Sequence, residues 1–172
     1  MQWRPFAHQG KDYDLSHLWP RNLVFIQPAK NDKPERRYSV QVEFGLHCFT
    51  SGLKDGEVPD NALLYSDARE ARIFDFERYE LSKLLPEIVE QLPTRKCNHT
   101  GHGNFFCVEV VDEAGNPKSY HIFFESSRIA GGGLRLFVQS AYVRTDPLKA
   151  KPISFFVVLF NTQNNRPIKI PI

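Results

Sequence analysis

The sequence predicts an α+β protein: one domain over residues 1–172, built on a mainly antiparallel, curved β-sheet with a layer of helix on one side. Two observations carry that expectation. Residues 119–125 and 134–144 are dense in β-branched and aromatic side chains and flank a loop containing Gly131, Gly132 and Gly133, which is the pattern of paired strands. Residues 76–93 place Leu81, Leu84, Leu85, Ile88, Val89 and Leu92 at intervals of three and four, which gathers them on one helical face. A length of 172 residues is that of a single domain.

Taken in order, residues 1–21 mix Trp3, Phe6, Tyr13, Leu15, Leu18 and Trp19 with charges, so they read as an irregular arm packed on the body. Residues 22–27 form a short strand ended by Pro28, and 29–37 a polar loop. Residues 38–44 alternate apolar and polar, the mark of a strand with one wet face. Residues 62–65 and 71–74 form a hairpin about 66–69. Inside the helical segment Pro86 predicts a kink or the start of a second short helix, and Pro93 ends it. Residues 94–104 read as a loop, and the segment 103–162 as an antiparallel meander. The apolar run 153–160 is expected as a central strand covered on both faces, and 167–172 as an edge strand limited by its prolines.

Composition narrows the function classes. A net charge of +2 requires any nucleic-acid site to be a local patch. Three cysteines are too few for a disulfide framework, and no basic start followed by an apolar stretch marks a signal peptide. No apolar run suits a membrane span, so no membrane partner and a cytoplasmic location are the expectation. Phosphate-loop, dinucleotide and G-x-S-x-G signatures are absent, and no cofactor is implied.

Several side chains are candidates for chemistry. Ser140, Tyr142 and Arg144 alternate along one strand and so share a face, with Arg135 on the other. Hydroxyl, phenol and guanidinium together suit a phosphodiester, the cation gripping a nonbridging oxygen. His47, where a strand opens toward a loop beside Thr50, and His121 within a strand are the acid–base candidates. His17 completes such a site if the arm folds over the sheet; capping of a short turn by Asp14 or Ser16 explains the same segment without function. Cys97, His99, His102 and Cys107 are four potential zinc ligands at irregular spacing. A mobile polar loop plus a core cysteine explains them without a metal, and His99 and His102 beside Arg95 and Lys96 also suit contact with a nucleic-acid backbone.

The segments 13–18, 47–50, 120–124 and 138–144, reading Y-x-L-S-H-L, H-x-F-T, Y-H-I-F-F and V-x-S-A-Y-x-R, resemble a broad group of small bacterial and phage proteins. Their arrangement is similar to the RelE/barnase-like (BECR) endoribonuclease fold of many toxins. That resemblance implies metal-independent RNA cleavage by attack of the ribose 2′-hydroxyl on the adjacent phosphate. By it His47 is base or acid, Arg144 or Arg135 the phosphate clamp, and Ser140 and Tyr142 donors to the phosphate. RNA and a cognate antitoxin are then the expected partners. Two other readings stand beside it: a protein-interaction module or regulator encoded by a phage or mobile element, and a zinc-stabilised binding domain.

Overall fold

The computed structural model describes residues 1–53, 56, 58–101, 106–111, 117–144 and 151–171, with the backbone alone for 106–111 and 117–119. Strands β3 (Arg21–Gln27), β4 (Arg36–His47), β8 (Cys97–His99), β9 (Phe106–Val111), β10 (Pro117–Arg128), β11 (Leu134–Val143) and β12 (Lys151–Ile153) form one sheet. Its order is β12-β8-β9-β10-β11-β4-β3. Neighbours are antiparallel except β11 and β4, which run parallel. A smaller sheet, β5 (Thr50–Ser51), β7 (Ala71–Phe74) and β6 (Leu64–Ser66), continues from the end of β4. Among the described residues there are three α-helices: α1 (Phe76–Ser82), α2 (Leu85–Glu90) and α3 (Phe155–Gln163). The expected α+β class, mainly antiparallel with few helices, is what the chain adopts.

Alternation along the strands divides the large sheet into two faces. Tyr38, Val40, Val42, Phe44 and Leu46 of β4, with Leu134, Leu136 and Val138 of β11 and Ile122 and Phe124 of β10, are buried. Helix α3 packs on this face, with Phe155 edge-on to Phe25 at 5.0 Å and to Phe124 at 6.4 Å. Partly open side chains occupy the other face.

Helices α1 and α2 bear out the second short helix expected at Pro86, but the single leucine face fails at Leu84, which lies between the helices and is exposed. Asp75 caps α1 by accepting the Arg78 backbone N–H at 3.1 Å, and α2 begins with Pro86 in its first turn.

Other expectations need correction. The run 153–160 is not a central strand, because Ser154 precedes helix α3 and Phe155, Val158, Leu159 and Thr162 fall on its buried side. Thr162 is tolerated there because its hydroxyl donates to the Val158 carbonyl at 2.9 Å. The meander therefore ends in a helix and joins β4 in parallel, while 103–105 lie outside the described residues. The expected loop 94–104 contains strand β8, and residues 167–171 form no strand. The N-terminal arm holds a hairpin, β1 (Phe6–His8) with β2 (Lys11–Tyr13), and Trp3, Phe6, Leu15 and Leu18 are buried against the body.

The face assignment along β11 also changes. Phe123 pairs with Ser140 but Phe124 with Val138, so Gln139 is an extra residue in the strand. A bulge of this kind reverses the alternation beyond it. Arg135 and Phe137 before the bulge thus share the open face with Ser140 and Tyr142 after it, while Ala141 turns inward and is fully buried.

Candidate active site

The bulge places Ser140 and Tyr142 on the sheet face that also carries His47 and His121, although His121 is buried there and closed to solvent. His47 ends β4 in register with Ser140, and His121 of β10 is in register with Tyr142. Gly45 makes the close approach of β4 and β11 feasible. A Cβ there would stand 2.7 Å from the Gln139 carbonyl oxygen and 3.0 Å from Cζ of Phe137.

His47 is partly exposed and donates from Nε2 to Oε1 of Glu70 at 2.7 Å. This bond and the nearby Arg72 hold the Glu70 carboxyl below its ordinary value, against the opposing effect of partial burial. With Nε2–H committed to Glu70, the neutral imidazole keeps its lone pair on Nδ1. Glu70 is delivered by the turn between β6 and β7, where Asp67 Oδ1 accepts the backbone N–H groups of Arg69 at 2.8 Å and Glu70 at 3.0 Å.

A second set of bonds fixes the backbone around His47. Arg78 reaches from α1 and donates through Nη1 to the carbonyls of His47 at 3.2 Å and Thr50 at 2.8 Å. Its guanidinium lies 5.0 Å from the Tyr142 ring and 3.7 Å from the Asp75 carboxylate. The Thr50 hydroxyl donates to the Leu46 carbonyl at 2.7 Å and accepts from Arg72 Nε at 2.9 Å. Thr50 is fully buried and so supports the loop rather than facing a ligand.

An open pocket of about 250 Å³ lies beside the pair, with Glu43, His47, Asp67, Arg69, Glu70, Arg135 and Phe137 among its lining residues. Arg135 is bound to Glu43 at 2.6 Å and covers the Phe137 ring at 4.5 Å. Ser140 and Tyr142 share the face but lie outside the pocket lining. Phe123 continues it, stacked on Tyr142 at 5.4 Å and near His121 at 6.3 Å.

The remaining candidates do not line the pocket. Arg144 follows the end of β11 and makes no ion pair with a described residue. His17 joins the arm to α1. The Ser82 hydroxyl already donates to the Tyr79 carbonyl at 2.7 Å, so His17 Nε2 donates to it at 2.8 Å. Cys97 and His99 are buried in β8. Cys107 pairs in register with Asn98 between them, its side chain outside the description, and His102 lies outside the described residues altogether. Among the described residues no group of three or more His, Cys, Asp or Glu is placed to hold a metal ion. Cys48 next to the site is fully buried; burial pushes its thiol up to about 12, which removes it as a nucleophile.

Glu70, Arg69, Arg72, Arg78 and Glu43 escaped the sequence reading. The turn at 66–69 was legible, but nothing in the sequence shows that its last neighbour closes on a histidine 23 positions earlier.

No helix among the described residues is long and apolar enough to cross a membrane. No solved structure matches the chain. Protein YjaZ of Escherichia coli (strain K12) is 33% identical over 176 residues, covering 99% of this chain and 96% of that protein. The family model that matches residues 5–163 is that of the YjaZ family. These two findings overturn the resemblance to RelE/barnase-like toxins, whose short motifs were matched in order but do not mark kinship. The chain belongs to the YjaZ family.

Proposed function

We propose that the protein is an acid–base enzyme that cleaves RNA, with the His47–Glu70 pair as its centre. The observation that carries this reading is the 2.7 Å bond from His47 Nε2 to Glu70 at the mouth of the pocket. A carboxylate on one ring nitrogen orients the imidazole and stabilises the imidazolium formed when the other nitrogen takes a proton. His47 takes the ribose 2′-hydroxyl proton, the 2′-oxygen attacks phosphorus, and the 5′-oxygen leaves and is protonated by solvent. Arg69 and Arg135, which line the pocket, stand by the phosphate as cations. Ser140 and Tyr142 supply hydroxyl donors, and the partly open rings of Phe137 and Phe123 offer surfaces on which bases stack.

The test is incubation of the purified protein with a mixed-sequence RNA in EDTA. Products with 2′,3′-cyclic phosphate and 5′-hydroxyl ends are expected. Intact RNA at micromolar protein contradicts the reading.

One observation favours a second reading, a protein-interaction module. Strand β3 closes one edge of the large sheet, and Val24 and Ile26 on it are 60% and 44% exposed. Such an edge can add a strand from a partner. Retention of RNA-independent partner binding by a His47→Ala variant is the outcome specific to this reading.

A further inference from the structure

We infer that the tip of the β3–β4 hairpin is a binding site for a phosphate group, free or carried as a monoester. The two strands pair out to Gln27 opposite Arg36. Beyond them the chain closes in a tight turn, with Lys30 N–H donating to the Lys33 carbonyl and Lys33 N–H to the Lys30 carbonyl, both at 3.1 Å. Asn31 and Asp32 between them have φ of 48° and 61°, a left-handed pair that asparagine and aspartate tolerate best after glycine.

This geometry makes the two lysines direct cross-strand neighbours. Like charges directly opposite one another oppose pairing, so the arrangement calls for a counter-charge. None is built in. A pocket of about 160 Å³ at this point is lined by Gln27, Pro28, Lys30, Asn31, Lys33, Pro34 and Arg36, with three cations and no carboxylate. Glu35 is turned to Arg37 at 3.4 Å, and Asp32 does not line the pocket. Among the described residues neither lysine ammonium makes an ion pair or hydrogen bond.

The remaining lining groups are held in place. The Arg36 guanidinium packs 4.4 Å from the Phe160 ring of α3, with Arg166 at 5.5 Å from the same ring. The Tyr38 hydroxyl donates to Gln27 Oε1 at 3.2 Å, which leaves the Gln27 amide nitrogen as a donor. Two ammoniums, a guanidinium and an amide make a donor-rich set around a concavity, the complement of a tetrahedral oxyanion. Arg36 and His47 occupy opposite ends of β4. Eleven steps at 3.3 Å put them about 36 Å apart along the strand, so this site is independent of the proposed catalytic one.

Titration of the ¹⁵N-labelled protein with inorganic phosphate and with phenyl phosphate, against chloride at matched ionic strength, tests the inference. Saturable shifts of residues 27–36 are expected, together with a rise in Tm that chloride does not give. Saturation by phenyl phosphate alone identifies a monoester as the ligand, and saturation by inorganic phosphate alone a free anion. Lys30→Ala/Lys33→Ala weakens phosphate binding at least tenfold. Lys33→Glu pairs with Lys30, raises Tm in chloride and abolishes the phosphate response. Shifts no larger than those in chloride, an unchanged affinity in the double alanine variant, or saturation by RNA but by neither small phosphate overturns it.

Discussion

Replacing Gly45 by alanine probes the contact that sets His47 beside Ser140. The new methyl carbon would stand 2.7 Å from the Gln139 carbonyl oxygen, 3.3 Å from that of Val138 and 3.0 Å from Phe137 Cζ. Two of the three obstacles are backbone, so relief requires β4 and β11 to separate at the bulge rather than a side chain to swing aside. Without a clash, glycine to alanine in a strand gains about 0.5–1 kcal/mol from the reduced freedom of the unfolded chain. Overpacking costs about 1–3 kcal/mol, so the net expectation is a loss on the order of 1–2 kcal/mol. For a chain of this size that is a fall in Tm of about 2–8 °C. Gly52 is the control, since its nearest obstacles are the Arg72 guanidinium nitrogens at 3.8 and 3.9 Å. Gly52→Ala is expected to leave stability unchanged or slightly raised. Urea unfolding of both variants decides it: a Gly45→Ala protein as stable as Gly52→Ala refutes the close approach of the two strands.

Three further perturbations test other parts of the account. Val157 is 45% exposed on α3 and Val158 fully buried, so Val157→Glu should change stability by less than about 0.5 kcal/mol while Val158→Glu prevents folding at 37 °C. A central strand would reject both changes, and circular dichroism melts distinguish the cases. Arg78→Ala removes the donor to the His47 and Thr50 carbonyls and is expected to cost about 1.5–3 kcal/mol, measured by chemical denaturation; a smaller effect means the loop holds itself. Burial, aided by Lys83 and Arg21, holds folded His17 below its ordinary value of 6.5 despite Asp14. The unfolded chain then binds the proton first, so stability falls as pH drops below 6.5 through the folded value. Asp14, Asp67 and Glu70, held low chiefly by their hydrogen bonds to Ser16, Arg69 and His47, add losses at more acid pH. His17→Gln keeps a donor for Ser82 and should flatten the pH 5–7 segment; equal slopes in both proteins contradict this.

Local rules made much of the fold legible. Leucine spacing and Pro86 specified α1 and α2, and the alternation of residues 38–44 specified the core of β4. Where the sequence misled, a longer-range effect decided. Residues 153–160 are apolar almost throughout, so the helical period of Phe155, Val158, Leu159 and Thr162 was hidden, and only Ser154 hinted at a helix start. The period of two predicted that Ser140 and Arg135 face apart, and one inserted residue at Gln139 put them together. His47 was readable as a residue at a strand end, but Glu70, Arg72 and Arg78 acquire meaning only when β7 and α1 fold against it. For His17 the sequence offered a site role or capping of a short turn by Asp14 or Ser16, and neither indicated the bond to Ser82, 65 positions later, that the fold makes.

The central claim is that His47, oriented by Glu70, moves the proton in RNA cleavage. Its most direct measurement is the single-turnover cleavage rate of a short RNA by wild type and by His47→Ala, with folding of the variant checked by its melt. A loss of about 10²–10⁴-fold with an unchanged melt is predicted. Equal rates in the two proteins would contradict it.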